Sequence, residues 1–296
     1  MYSVLIPTYN TLITQLVTDL QRQAQELMLD FEIIVLEDGS SHFLDENIRI
    51  AGWSNCRYIR LDKNIGRSAA RNRLADEARF PYLIFMDCDA AVPHDDYLQR
   101  YANFFREENV VVVGGTSYNP NFNDKRFSLR LTYGRSREAN LLYHNRQDTF
   151  NNFATFNFLI SKSIFQSIRF DESIAGYGHE DTLFGHALHE AGYSFFRIDN
   201  TLIHNGLDDN PTFLKKTEES VTNLYLLHST GNYPFLANDS QLLNAYHRLK
   251  SKHLTGLVRV SGMLMRPFLR WQLCSRKPSL HLYDFYKLAH LCRIAG

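Results

Sequence analysis

Several short stretches carry residues that could do chemistry. Asp87-Cys88-Asp89 follows an apolar run, Tyr82 to Met86. In extended backbone, residues i and i+2 point the same way, and two neighbouring carboxylates repel unless a cation or a proton intervenes. Oxygen ligands of this kind suit Mg²⁺ or Mn²⁺, which bind one or two carboxylates together with phosphates. An isolated D-x-D is more often a solvated strand end or a helix cap, but here an apolar strand feeds it directly. Glu37-Asp38-Gly39-Ser40-Ser41 ends a second apolar run. It is either plain turn chemistry or a set of acceptors for a base N–H or a ribose hydroxyl. Asn64 to Asn72 (NIGRSAARN) holds Gly66, which permits an unusual backbone angle, and Arg67 and Arg71 in the first turns of a helix. A helix N-terminus with arginine suits a diphosphate; the alternative is a solvated i, i+4 face. The absence of G-x-G-x-x-G and of a Walker lysine motif argues against a dinucleotide or ATP site. In Gly176-Tyr177-Gly178-His179-Glu180-Asp181 an acid pair opens a helix. It is a cap favoured by the helix dipole, or a general base beside an acceptor-binding carboxylate.

These motifs need elements to position them. The first half of the chain alternates strands (Ser3 to Ile6, Phe31 to Leu36, Arg57 to Leu61, Tyr82 to Met86, Val110 to Val113) with helices (Leu12 to Met28, Arg67 to Ala78, about Asp95 to Glu107). That alternation predicts a mainly parallel sheet covered on both faces. Ligands of such sheets bind beyond the C-terminal strand ends, where the polar motifs stand. Residues 116–150 have little periodicity and predict a long loop with some helix. Thr155 to Ser161 and Phe195 to Ile198 predict strands, with a helix from the acid pair to about Gly192, His204 after the last strand, and helices beyond. His186 and His189 fall on the surface of a helix. The predicted organisation is 1–115 and 116–229 as two halves of one α/β domain, then a helical segment, 230–296.

Composition excludes other classes. At 44% hydrophobic and 22% charged residues, the chain is ordinary globular protein. Its formal charge is zero, and no nucleic-acid partner is expected. The charge is uneven: from residue 240 onward stand ten Lys/Arg and one acid, Asp284, against 22 basic and 31 acidic residues before. Cys56, Cys88, Cys274 and Cys292 form no CxxC pair, which suits a reducing compartment and no zinc site. No signal peptide and no transmembrane helix is expected.

Taken together and in order, Val4-Leu5-Ile6-Pro7-Thr8-Tyr9-Asn10, Glu37-Asp38-Gly39-Ser40, Asn64-Ile65-Gly66 with Arg71-Asn72, Asp87-Cys88-Asp89 and Gly178-His179-Glu180-Asp181 resemble glycosyltransferase family 2 of the GT-A fold. The acid-pair loop is similar to that of chondroitin polymerases and β-1,4-galactosyltransferases, although Tyr177-Gly178-His179 stands where those carry Trp-Gly-Gly. The resemblance implies a GT-A α/β fold with a helical C-terminal extension. It implies an inverting hexosyltransferase that uses a UDP-sugar and Mn²⁺ or Mg²⁺. The acceptor would be a saccharide or lipid-linked saccharide. Pro7, Thr8 and Tyr9 would line the base pocket, with Glu37, Asp38, Asn64, Gly66 and Cys88 around the nucleotide. Arg71 would approach the uracil or diphosphate. Asp87 would contact ribose or metal, and Asp89 and His204 would ligate the metal. Asp181 would be the base, with Glu180, and Asn157 beside it, holding the acceptor. Rival readings are a sugar-1-phosphate nucleotidyltransferase, for which Pro7-Thr8-Tyr9-Asn10 replaces the expected glycine-rich loop, and a non-catalytic glycan-binding or scaffold protein, which has no need of two acid pairs.

The C-terminal segment has its own pattern. Leu254, Leu257, Val258, Met265, Phe268 and Trp271 recur at helical spacing, with Lys252, Arg259, Arg266 and Arg270 on another face. Pro267 predicts a break into two helices. The apolar stripe either packs on the catalytic domain or lies in an anionic membrane interface. The resemblance favours the second, at the cytoplasmic face of a cell membrane.

Overall fold

A computed structural model describes residues 1–139, 153–174 and 176–296. The strands are β1 (Tyr2–Thr8), β2 (Phe31–Asp38), β3 (Cys56–Leu61), β4 (Tyr82–Met86), β5 (Ala90–Ala91), β6 (Val111–Val113), β7 (Thr116–Ser117), β8 (Asn157–Ser161), β9 (Phe196–Arg197) and β10 (Leu202–His204). The main sheet has the order β3-β2-β1-β4-β8-β6-β9. Only β8 runs against the rest, antiparallel to both β4 and β6. A second, small sheet has the order β5-β10-β7.

The central strands β1, β2 and β4 are buried on both faces and mostly apolar, whereas the edge strand β3 is partly exposed and carries Arg57 and Arg60. Val4, Ile6, Ile33, Val35, Ile84 and Met86 face one core with Leu16, Val17 and Leu20 of the helix Thr14–Glu26. Leu5, Ile34, Leu36, Leu83 and Phe85 face the other, with Ala70 and Leu74 of the helix Arg67–Glu77 and Phe184 of the helix Glu180–Glu190. Side chains two apart share a core, as the pleat requires.

The chain winds outward from β1 to β3, then crosses back to place β4 on the other side of β1. Strand order therefore reverses between β1 and β4, the switch point beyond which sheets of this kind bind ligands. Thr8 and Asp87 stand at that point.

The described chain divides into two compact units: 1–119, 137–174 and 180–206, then 120–136, 175–179 and 207–296. The expected middle segment, 116–229, is thus shared between them. The first unit holds all the described strands. The second is helical: Ser128–Tyr133, Asn210–Thr230, Gln241–Ser251, Thr255–Leu273 and Leu280–Ile294, around Leu129, Phe213, Leu214, Leu269, Leu273, Tyr283 and Tyr286. Three expectations are corrected. The helix expected over Asp95 to Glu107 is confined to Tyr97–Ala102. The expected loop 116–150 contains β7, the helix Ser128–Tyr133 and the π-helical turn Gly134–Glu138; residues 140–150 lie outside the described ones. Pro267 lies within one continuous helix, Thr255–Leu273. A proline removes a single backbone donor, and packing of Leu269 and Leu273 beyond it holds the helix together.

Candidate active site

The site is built where β1, β2 and β4 end. Asn10, at φ +50°, turns the chain out of β1. Its Oδ1 accepts from the Ser41 and His42 amides at 2.8 and 3.1 Å, while its own amide donates to Ser40 Oγ at 2.7 Å. The ends of β1 and β2 are thereby stitched together, with Pro7 half-buried, Thr8 buried and Tyr9 exposed.

The acids Glu37 and Asp38 do different work from that expected. Glu37 is fully buried and accepts from Ser40 Oγ, Asn47 Nδ2 and Tyr58 Oη. Its carboxylate braces the loops. Asp38 accepts from the Ile65 amide at 2.7 Å and the Gly66 amide at 3.2 Å, and Asn64 Nδ2 donates to its carbonyl. Burial pushes the Asp38 carboxyl up from its ordinary value, opposed by those two amides. Asp38, Asn64 and Gly66 thus fix one loop that shapes the edge of the site. Gly66, at φ +90°, leads directly into the helix Arg67–Glu77, a conformation that glycine adopts freely.

That helix carries Arg71 inward. Its side chain is only 2% exposed, so the expected contact with a nucleotide gives way to a buried one. Nη2 donates to Asp87 Oδ1 at 2.7 Å, Nη1 lies 3.8 Å from Glu180 Oε1, and Phe170 lies under the guanidinium. Nε and Nη1 are buried without a hydrogen-bond acceptor. Arg67, one turn earlier and more than half exposed, lies 3.7 Å from the same Glu180 oxygen. Asn72 ties the Phe170 backbone and Glu172 to the helix.

Asp87 to Asp89 form a turn, with the Ala90 amide donating to the Asp87 carbonyl at 3.2 Å. The two carboxylates therefore do not share one direction, as extended backbone would make them. Asp87 meets Arg71. Asp89 meets His204, whose Nε2 lies 3.1 Å from Asp89 Oδ2. The small sheet causes that meeting: β5 follows the turn, and β10 pairs antiparallel with it, His204 opposite Ala90. The Asn205 amide also donates to the Asp89 carbonyl. Asp89 Oδ1 is buried with no hydrogen-bond partner. Cys88 turns toward Thr11 and the Tyr9 backbone, and burial pushes its thiol up to about 11. It packs against the core.

Glu180 and Asp181 open the helix Glu180–Glu190. Glu180 is buried and faces the two arginines. The Asp181 carboxyl is pushed up to about 6, first by burial and then by the Glu180 charge, against the Thr182 amide and Arg71. The preceding Gly176–His179 belongs to the other unit, where Asn223 Nδ2 donates to the Tyr177 carbonyl and His179 at φ +76° contacts Ser220.

Residues 3–169, more than half of the chain, match the family model for glycosyl transferase family 2. The chain belongs to that family. It is 24% identical to the chondroitin synthase of Escherichia coli over 235 residues, 69% of this chain and 34% of that protein. It is 29% identical to the hyaluronan synthase of Pasteurella multocida over 119 residues, 39% of this chain and 12% of that protein. The chain spans about a third or less of the length of such curated relatives. Among solved structures it is similar to the mannosyltransferase PcManGT of Pyrobaculum calidifontis, in complex with GDP-Man and Mn²⁺, with a TM-score of 0.58 and 13% identity over 99% of this chain and 86% of that one. It is also similar to S. aureus TarS 1-349 in complex with UDP, with a TM-score of 0.51 and 14% identity over 99% and 90%. These likenesses show the fold, and the α/β sheet with its helical extension is that of the GT-A glycosyltransferases.

Within this family 2 fold, some site residues carry no sequence signal. Gly206 is one: a Cβ there would run into the Asp89 carboxylate. Phe170 is another, a single aromatic between Arg169 and Asp171. Asn157, expected near the acceptor, is instead 1% exposed. Its Oδ1 accepts from the Tyr97 and Tyr101 hydroxyls, and its Nδ2 donates to the Gly115 and Asn200 carbonyls. It is a core brace. Among the described residues, no three His, Cys, Asp or Glu side chains converge as a complete metal cage.

Proposed function

We propose that this glycosyltransferase moves a sugar with inversion from a UDP-sugar to a hydroxyl of a saccharide or lipid-linked saccharide. The observation that carries the reading is the division of labour between the acid pairs: Asp89 stands beside His204, while Asp181 is a half-buried carboxyl pushed up to about 6. The Asp89 carboxylate, with Oδ2 against the His204 imidazole and Oδ1 unpartnered, suits a divalent cation that draws its remaining ligands from a diphosphate. Asp89 and His204 would hold Mn²⁺ or Mg²⁺, with Asp87 at its side, and the ion would supply neutralising charge for the departing diphosphate. PcManGT, solved with GDP-Man and Mn²⁺, supports a nucleotide-sugar donor with a divalent metal, and TarS 1-349, solved with UDP, supports uridine as the nucleotide.

The protein's own groups would act as follows. Pro7, Thr8 and Tyr9 line the base side, on the loop that Asn10 and Ser40 fasten, and Asp38 holds Ile65 and Gly66 at the rim. Arg71 fixes Asp87 and faces Glu180 with donors to spare. Glu180 orients the acceptor. Asp181 takes the proton from the acceptor hydroxyl as that oxygen attacks the anomeric carbon. Attack from the side opposite the diphosphate inverts the centre, so an α-linked donor yields a β-glycoside. A base of pKa near 6 is ionised at neutral pH yet still able to hold the transferred proton.

The test is titration calorimetry of UDP with Mn²⁺ and with excess chelator, on wild type and Asp89→Ala. Binding should be strong only for wild type with metal. Equal affinity in chelator would overturn the metal assignment. An increase in UDP-sugar hydrolysis or transfer on adding oligosaccharide acceptors would then identify the reaction.

A further inference from the structure

The helix Thr255–Leu273 is packed on one side and bare on the other. Gly262, Leu269 and Leu273 are buried, and Gly262 lies so close to Ala289 of the helix Leu280–Ile294 that a Cβ would collide with it. The helix is thereby fixed in rotation. Its opposite side presents Leu257, Val260, Leu264, Phe268 and Trp271, spaced three or four apart and so on one stripe. Leu257 is 67% exposed, Leu264 75% and Trp271 70%. Nineteen residues make a stripe about 28 Å long. Scattered single apolar residues on a surface need no explanation, but a continuous stripe of this length does.

The charge around the stripe selects what covers it. From Arg248 to Lys277 the sequence has eight Lys/Arg and no Asp or Glu, in a chain that is neutral overall. Arg266 is paired with Glu218, and Arg259 donates to the Gly296 carbonyl. Lys252, Arg259, Arg276 and Lys277 are exposed, at the two ends and along the flank of the helix. A second copy docked about a two-fold axis would bring this patch against itself, and its like charges would repel. An anionic lipid surface answers both features, taking the apolar stripe among its acyl chains and the cations among its headgroups. Trp271 suits the boundary between the two. Among the described residues no helix is long and apolar enough to cross a membrane.

We infer that the outward stripe of the helix Thr255–Leu273 seats this protein on an anionic membrane surface. The full chain is sedimented with vesicles of phosphatidylcholine alone and of phosphatidylcholine with phosphatidylglycerol. Wild type should pellet only with the anionic vesicles and be released by high salt. Each basic residue near such a surface is worth roughly fivefold in partition, so the combined Lys252→Gln, Arg276→Gln, Lys277→Gln variant should bind about a hundredfold more weakly. Leu264→Glu with Trp271→Glu should abolish binding with an unchanged melting curve, since both side chains are already in water. Wild type left in the supernatant with anionic vesicles at low salt overturns the inference. So does pelleting that neither variant weakens. A wild-type dimer that the Glu variant dissolves, with no vesicle binding by either, would assign the stripe to a second copy instead.

Discussion

The two acid pairs of the first unit are built in opposite ways. Asp87 and Asp89 stand in a turn at a strand end, and each has its own basic partner, Arg71 or His204. Glu180 and Asp181 are adjacent on a helix; Glu180 has the arginines, and at Asp181 burial and its neighbour's charge outweigh the opposing Thr182 amide and Arg71. The first arrangement gives each carboxylate a partner of its own and leaves one Asp89 oxygen unpartnered. The second withholds balance from one carboxyl and so raises its proton affinity. Two short acidic motifs thus acquire different chemistry from their surroundings, the carboxyl in which burial outweighs the nearby cation being the one suited to take a proton.

The sharpest way to break that comparison is Asp181→Asn, which keeps the shape and removes the base. Transfer should fall by roughly 10²–10⁴-fold while UDP binding is retained. Steady-state kinetics beside calorimetry measure both, and near wild-type transfer would move the base elsewhere, with Glu180 next. The pH profile comes second. Transfer should rise about tenfold per pH unit below the Asp181 value near 6 and level off above it. A profile flat from pH 4 to 8 in wild type would remove Asp181 from the proton-transfer step. Arg71→Met is third, because it strips the cation from between the pairs. A hydrogen bond to a charged group contributes about 1.5–3 kcal/mol, and urea denaturation should show a loss of that size. The smallest effect belongs to Arg67→Met, which at an exposed position should cost about 1 kcal/mol or less. Equal losses from the two arginines would mean that burial of Arg71 carries no special weight.

Much of this was legible in the sequence. The strand Tyr82–Met86 is legible to the residue, and β1, β2 and the helix at Arg67 to within a residue or two, because the buried central strands carry dense apolar runs bounded by polar turns. The order of the motifs pointed to family 2 before any geometry. The helix expected to Glu107 stops at Ala102, where the chain gives way to turns. The strands of two or three residues in the small sheet were missed, since a run so short has no period to detect. With them went the reason for choosing His204 among 12 histidines.

The sequence by itself determined the elements and the residue types at their ends: a parallel sheet, carboxylates and arginines where ligands bind, and a basic, apolar-striped extension. Those properties are local, set by side-chain period and by the chemistry of short motifs. Tertiary structure alone decided which polar groups are spent on the protein itself. Glu37, Asp38 and Asn157 look as available as Asp89 in the sequence, yet their oxygens are satisfied by Ser40, Asn47 and Tyr58, by the Ile65 and Gly66 amides, and by Tyr97 and Tyr101. Asp89 alone of these keeps a buried oxygen without a donor. Availability depends on partners far away in the chain, and only folding brings them within reach.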